Sequence, residues 1–343
     1  MKHLHLTSRD KFIDPYIKFI NSNFNSDQHK FFCFTFDKKE QIKNEYSNVE
    51  YQNRVFGNLK LLLQLYSVDR IYLHSLFSMR IVICLFFQPW LLRKVYWLVW
   101  GADLYAYSNS HGIKEIIRAF VIKRFGGLIT HVKGDYELAK KWYKVRGEYY
   151  YSFLYPSNLY KENGLEKHEK KNDVIYIQVG NSADPSNNHL EVFEKISALK
   201  TKSVIIVCPL SYGSKKNAEI VKDRGEKIFG EKFKPLLEFI PFEEYLNILS
   251  NIDIAIFNHN RQQAIGNITT LLGLGKKVYI RDDISTWDLF KEHNLIVYSI
   301  NRDLDHILIP ITQNERSLNI KNVKEKFSEA KLVKDWEYIF NHS

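Results

Sequence analysis

The 343-residue chain is 45% hydrophobic and 15% aromatic, which excludes a disordered polymer and supplies apolar material for two cores of about 150 residues each. Its 49 Lys and Arg against 39 Asp and Glu leave a formal charge of +10, so its partner is acidic: nucleic acid, an anionic membrane surface or a phosphorylated substrate. Three cysteines, Cys33, Cys84 and Cys208, are odd in number and far apart, which argues against a disulfide framework or a zinc site and for a reducing compartment.

The first residues, Met1 to Leu6, are too few and too polar for a signal peptide. Strands are expected at 2–6, 31–36, 70–74, 95–100 and 128–132, with helices at 11–23, 58–66 and 114–124 among them. His3 and His5 alternate on the first strand without metal-like companions, and Gly134-Asp135 reads as a turn. The apolar run 81–92 is shorter than the roughly 20 residues a spanning helix needs, holds Gln88 and Pro89, and is followed by Arg93 and Lys94. It reads as a core helix, or as an interfacial segment with Phe86, Phe87 and Trp90 beside Arg80, Arg93 and Lys94.

Residues 156–172 are poor in aliphatics and rich in Lys and Glu, and read as a linker. Beyond it the alternation restarts. Strands are expected at 174–179, 203–208, 237–240, 253–257, 277–280 and 295–298, and helices at 188–200, 217–229, 243–251, 267–274, 284–293 and 323–341. The expected architecture is α/β: two doubly wound, Rossmann-like domains facing a cleft. They span 1–155 and 173–322, with a C-terminal helix, 323–343, packing back on the first domain.

Three loops at expected strand ends carry polar chemistry. After 174–179 the chain reads Gly180-Asn-Ser-Ala-Asp-Pro-Ser-Asn-Asn-His189, a tight turn leading into a helix. Ser186, Asn187 and Asn188 are N-cap types, and a strand–turn–helix junction aims amides and a helix dipole at one spot, which suits a phosphate. An ordinary strand–helix loop is the other reading. After 253–257 the loop Asn258–Asn267 offers Arg261 to a phosphate oxygen, Gln262 and Gln263 to hydroxyl or acetamido groups, and Gly266, Asn267 and Ile268 at a helix start; its other reading is a solvent-facing loop. After 95–100, Asp103 suits a catalytic base, a substrate ligand or an N-cap, and His74 ends a neighbouring strand. Ser211, Tyr212 and Phe242, near two further strand ends, suit base stacking, core or turn roles.

Trp100-Gly-Ala-Asp-Leu-Tyr105, Val179-Gly-Asn-Ser-Ala-Asp184 with Ser186, Asn187 and His189, and Arg261-Gln-Gln-Ala-Ile-Gly266 resemble the hallmarks of glycosyltransferase family 56 in order and spacing. The resemblance implies a GT-B fold, a dTDP-activated 4-acetamido-4,6-dideoxyhexose donor of the Fuc4NAc type, and an undecaprenyl-diphosphate-linked saccharide acceptor. The setting it implies is surface polysaccharide synthesis, of the enterobacterial common antigen type, on the cytoplasmic face of the inner membrane. No metal or other cofactor is expected. Gly180, Asn181, Ser182, Asn267 and Ile268 would hold the diphosphate, Arg261 would add charge as dTDP leaves, Gln262 and Gln263 would read the sugar, and Ser211, Tyr212 and Phe242 would flank the base. Asp103, with His74, would act as base or position the acceptor; retention or inversion stays open, because the acidic pair of a well-known retaining class is not evident around 261–274. Another nucleotide sugar, such as dTDP-Qui4NAc or a UDP-sugar, is the alternative donor. A basic nucleic-acid-binding protein is the rival class, disfavoured because the lysines are dispersed and no helix-turn-helix, zinc-finger or RNA-recognition motif occurs.

Overall fold

The computed structural model describes residues 1–8, 10, 12–35, 46–52, 55, 59–76, 78–109, 112–161 and 173–342. The expected linker residues 162–172, and residues 11, 36 and 58 of expected elements, lie outside the described residues. The chain divides into two compact units, Met1–Asn158 with Glu329–Ser343, and Leu159–Ser328.

The first unit is built on seven strands: β1 (His3–Ser8), β2 (His29–Phe34), β3 (Val49–Gln52), β4 (Arg70–His74), β5 (Val95–Leu98), β6 (Gly127–Ile129) and β7 (Glu148–Tyr150). All pair in parallel, in the order β3-β2-β1-β4-β5-β6-β7. Helices α1 (Ile13–Asn23), α2 (Leu59–Ser67), α3 (Met79–Phe86), α4 (Ala102–Tyr105), α5 (Ile113–Ile122) and α6 (Lys133–Tyr143) connect them. The second unit repeats the plan with β8 (Ile175–Val179), β9 (Val204–Pro209), β10 (Phe233–Leu236), β11 (Ile254–Phe257), β12 (Lys277–Ile280) and β13 (Tyr298–Ser299), in the order β10-β9-β8-β11-β12-β13. Its helices are α7 (His189–Ile196), α8 (Lys215–Phe229), α9 (Phe242–Asn251), α10 (Ile265–Gly273), α11 (Ser285–Glu292) and α12 (Gln313–Lys326); α13 (Glu329–His342) then returns to the first unit. Parallel neighbours are joined by crossovers and not by hairpins, and the strand order of each sheet reverses direction once, the Rossmann-type switch point.

Strand periodicity sorts the first sheet's two faces. Leu4 and Leu6 join the aliphatic core that also takes Leu61, Leu65, Val82, Leu85 and Val121. His3 and His5 face the other way, into an aromatic layer with Tyr16 of α1 and Trp336 and Phe340 of α13. Phe340 packs 4.8 Å from His3 and 4.6 Å from His29, and Trp336 Nε1 donates to Leu154 O (3.2 Å), which ties α13 to this sheet.

Several elements differ from the sequence expectation. The strand expected at 237–240 is displaced to β10, whose Pro235 sits on an edge strand that tolerates its missing N–H. The strand expected at 295–298 is reduced to Tyr298–Ser299. The turn expected at Gly134-Asp135 lies inside α6. The helix expected at 323–341 is two helices, broken between Lys326 and Glu329, and α12 runs across the expected 322/323 boundary. α12 has no apolar stripe; its buried Asn319 and Asn322 side chains bind the backbone of Ile296 and Asn294, and Thr312 and Glu315 close a capping box at its start.

Candidate functional site

In the second unit the switch point lies between β8 and β11, where Val179 pairs with Ile256, so the turns leaving these strands are neighbours. Gly180 has φ +69°, and a Cβ there would meet His189 Nε2 at 2.4 Å and Asn187 Oδ1 at 2.8 Å, so backbone and space both require glycine. The turn closes on itself. Gly180 N donates to Ile256 O (2.9 Å), Asn181 N donates to Asn187 Oδ1 (3.0 Å), and Asn187 Nδ2 donates to Ser182 Oγ (3.2 Å) and Asp184 O (3.0 Å). Of the residues expected to cradle a phosphate, Gly180 and Asn181 thus have amides bonded within the protein, and Ser182 is fully buried. Helix α7 begins at His189, and Asn188 does not cap it; the Asn188 side chain donates to Asn258 O (2.8 Å), binding the turn to the loop after β11.

Three more residues lock that loop to the turn. The buried His259 donates through Nε2 to Asn187 Oδ1 (2.9 Å); burial, then Arg261 and His189, lowers its pKa to about 3, so it is a neutral donor. Gln263 reaches Asn181 Oδ1 (3.4 Å), and its amide lies 2.7 Å from Ser186 Oγ, which donates to Asp184 Oδ1 (2.5 Å). Arg261 Nη2 stands 3.6 Å from Asp184 Oδ2. Burial works against the Asp184 carboxylate, yet the Ser186 bonds and the Arg261 charge hold its pKa below the usual range.

Helix α10 opens immediately after Arg261-Gln262-Gln263. Its N-cap, Ala264, is a non-glycine residue at φ +59° and supplies no side-chain cap. Ile268, expected to meet the diphosphate, is buried, and its N donates to Ala264 O (3.0 Å). Helix geometry leaves the amides of Ile265, Gly266 and Asn267 without intrahelical acceptors, and the dipole adds partial positive charge beside Arg261. Asn267 is fixed by Tyr245, whose hydroxyl donates to Asn267 Oδ1 (2.8 Å). From the loop after β9, the half-exposed Tyr212 is held by Asn181 Nδ2 (2.6 Å) and by Ala183 N on its carbonyl (2.7 Å), and Ser211 precedes it in the same turn. Phe242 opens α9, and its side chain lies outside the described residues; Phe239 belongs to no strand and is 85% exposed.

Within the first unit, Asp103 and His74 are interior groups. Asp103 is 0% exposed: Oδ2 accepts from Leu76 N and Trp97 Nε1 (both 2.9 Å), and Oδ1 from Trp100 N (2.9 Å) and Leu104 N (3.0 Å). Arg118 donates to the carbonyls of Leu76 (2.8 Å) and Asp103. Burial raises the Asp103 pKa against the pull of these donors and of Arg118. With its oxygens filled by N–H groups, Asp103 ties the Trp100–Leu104 turn to the end of β4. His74 is equally enclosed, with Nε2 3.2 Å from His5 Nδ1 and Nδ1 2.7 Å from the Tyr155 hydroxyl. Burial lowers its pKa to about 3.

Asp103→Asn turns an amide NH₂ toward N–H donors. The expected cost is roughly 2–5 kcal/mol, from one or two orphaned buried donors, read as a lower denaturation midpoint. Unchanged stability with abolished activity would return Asp103 to the chemistry.

His259 and Tyr245 are residues of this cluster that sequence reasoning did not single out; Asn187, read there as an N-cap type and a motif residue, instead closes the turn through its side chain. Asn187 and His259 are 72 positions apart, and only the pairing of β8 with β11 brings them together.

The family described as 4-alpha-L-fucosyltransferase, glycosyl transferase group 56, matches residues 19–343. Solved structures similar in fold include Anabaena HepE in complex with UDP (TM-score 0.72, 11% identity, 100% of both chains). A UDP-forming α,α-trehalose-phosphate synthase from Burkholderia xenovorans also matches (TM-score 0.72, 9% identity, 99% of this chain and 98% of that one). The fold is GT-B, and the enzyme is a glycosyltransferase. With nearly the whole length matched, the chain belongs to glycosyltransferase group 56.

Proposed function

We propose that the second unit binds a dTDP-activated 4-acetamido-4,6-dideoxyhexose, and that the enzyme transfers this sugar to an undecaprenyl-diphosphate-linked saccharide at the cytoplasmic face of the inner membrane. The observation that carries the donor reading is the convergence at the switch point of Arg261, the uncapped start of α10 and the half-exposed Tyr212. A leaving diphosphate needs positive charge fixed before the reaction, and Arg261 with the Ile265, Gly266 and Asn267 amides supplies it. The Gly180–Asn188 turn acts one step back, as the brace that holds Arg261 and Gln263 through Asp184, Ser186 and Asn181. Tyr212, with Ser211 and Phe242, is assigned to the base and Gln262 to the sugar. The diphosphate charge is met by protein groups, so the reading includes metal independence. Asp103 is assigned to shaping the acceptor-side turn.

A UDP-sugar is the second reading, because HepE is described as a UDP complex. A thermal-shift panel of dTDP, dTDP-4-acetamido sugars, UDP and GDP forms, run with and without EDTA, separates the two. A ligand at a hundredfold excess over its dissociation constant adds about 2.7 kcal/mol. The dTDP forms are expected to give the largest shift, unchanged by EDTA. A shift with UDP forms alone rejects the dTDP assignment, and salt-sensitive duplex binding that dTDP does not displace rejects the enzyme's proposed ligand class altogether.

A further inference from the structure

Six large apolar side chains of the first unit, Leu59, Leu63, Phe87, Trp90, Ile113 and Ile116, are between 62% and 73% exposed. Elsewhere among the described residues only Phe239 is as exposed. Single exposed apolar residues are ordinary; six on adjoining elements are not. The elements are α2, the C-terminal end of α3 at Phe87 with the 89–94 turn after it, and α5. Trp90 Nε1 donates to the Tyr66 hydroxyl (3.0 Å), which joins the turn to α2. Phe86 packs against Phe120 (5.0 Å) and Phe87 (5.5 Å), which joins α3 to α5. Helix α2 turns Leu61 and Leu65 into the core and still presents Leu59, Leu63 and Tyr66 outward, so it is apolar on both sides.

Charge identifies the partner. Segments 59–67, 78–94 and 112–124 hold one, three and four Lys or Arg, of which Arg118 is buried and Lys60 pairs with Glu50 (2.9 Å), against Glu115 as their one acidic residue. Arg80, Arg93 and Lys114 are exposed among the apolar side chains. The Arg124 guanidinium lies over the Phe120 ring (3.6 Å), an arrangement that keeps a cation next to apolar surface. Exposed aromatic and aliphatic tips surrounded by cations match the boundary between acyl chains and anionic headgroups. No helix of the described residues is long and apolar enough to cross a membrane, so the contact is interfacial.

We propose that this face docks on an anionic phospholipid bilayer, with Phe87 and Trp90 as its deepest anchors. The inference deepens the lipid-linked acceptor reading and rests on it for why the enzyme needs a membrane, but not on the identity of the donor.

The test is flotation of the full chain with phosphatidylglycerol/phosphatidylethanolamine vesicles and with pure phosphatidylcholine vesicles, without any sugar substrate. Partitioning is expected on the anionic vesicles and is expected to fall about tenfold or more between low and high salt. The double substitution Phe87→Ser, Trp90→Ser is expected to lower it on the order of 100-fold, by removing two buried apolar side chains. Ile220→Ser, at an exposed apolar site on α8, is expected to leave it unchanged. Absence of binding in a folded protein that still shows a nucleotide thermal shift overturns the docking face and leaves the donor reading standing. Equal binding by the double variant also overturns it. So does a concentration-dependent dimer that the double variant abolishes, since a second copy would then cover the face.

Discussion

Arg261→Ala is expected to lower kcat for sugar transfer about 10²–10³-fold, the usual cost of removing one preorganised group that meets developing negative charge. Stability should barely change. The Arg261 side chain is 21% exposed and its ion pair with Asp184 spans 3.6 Å, so the pair contributes at most about 1 kcal/mol. Donor affinity should fall less than kcat, because the diphosphate gains charge as the glycosidic bond breaks, and the amides of Ile265, Gly266 and Asn267 still face it in the variant. Arg261→Lys should recover part of the loss, since it keeps the charge and loses the planar fork. Initial rates over a range of donor concentrations, with a denaturation midpoint for each variant, test this. A kcat within threefold of the parent, in a folded variant, removes Arg261 from the reaction.

The framework was largely legible in the sequence, because parallel strands buried on both faces read as continuous apolar runs. β4, β5, β8, β9, β11 and β12 stand on runs such as Ile-Tyr-Ile-Gln-Val or Ile-Ala-Ile-Phe, and β1 on an alternation of His and Leu. The elements that escaped are edge or polar ones. β3 is Val-Glu-Tyr-Gln, β7 is Glu-Tyr-Tyr, and β10 carries Pro235; each lies at or beside a sheet edge, where burial imposes little pattern. α12 escaped because amide–backbone bonds, not an apolar stripe, hold it.

For the candidate site, the loops were legible and their internal wiring was not. Gly180 and Arg261 occur at strand ends in the linear sequence. That the Asn187 side chain consumes the Asn181 amide, or that the amide of Ile268 is bound to Ala264, depends on where a helix starts to within one residue. The Asp103 environment was hidden for the same reason: its donors come from Leu76, Trp97, Trp100 and Leu104, on both sides of two strand ends.

The second large effect is on stability against acid. In the first unit His29, His5, His74 and Tyr155 form a buried chain: His5 Nε2 is 3.2 Å from His29 Nδ1, His5 Nδ1 is 3.2 Å from His74 Nε2, and His74 Nδ1 is 2.7 Å from the Tyr155 hydroxyl. Trp100 Nε1 donates to that hydroxyl (2.8 Å), leaving the tyrosine proton for His74 Nδ1. The network then assigns each ring as a donor through Nε2 and an acceptor through Nδ1. A second proton on any ring sets donor against donor in a dry layer. Burial accordingly lowers the pKa of His29 and His74 to about 3 and of His3 to about 4, and that of His5 well below 6.5. The sign follows from proton uptake. Below pH 6.5 the unfolded chain binds protons that the folded chain refuses, so stability is full above about pH 6.5 and falls as pH drops toward the folded values. Each histidine contributes about 1.4 kcal/mol per pH unit in that window, so four give a loss of about 5 kcal/mol between pH 7.5 and 5.5. Asp335, raised by burial to about 6, opposes this by only about 1 kcal/mol, and Asp103, also raised by burial, acts in the same opposing direction. The histidines win, and the remainder is a large part of the roughly 5–15 kcal/mol that holds a typical protein folded. Denaturant midpoints at pH 7.5, 6.5 and 5.5 should therefore fall steeply, and His29→Gln should reduce the slope by about one proton. A midpoint independent of pH across this range, or resonances of His5, His29 or His74 titrating near pH 6.5 in the folded protein, would show that the relay is hydrated and not the closed neutral chain described.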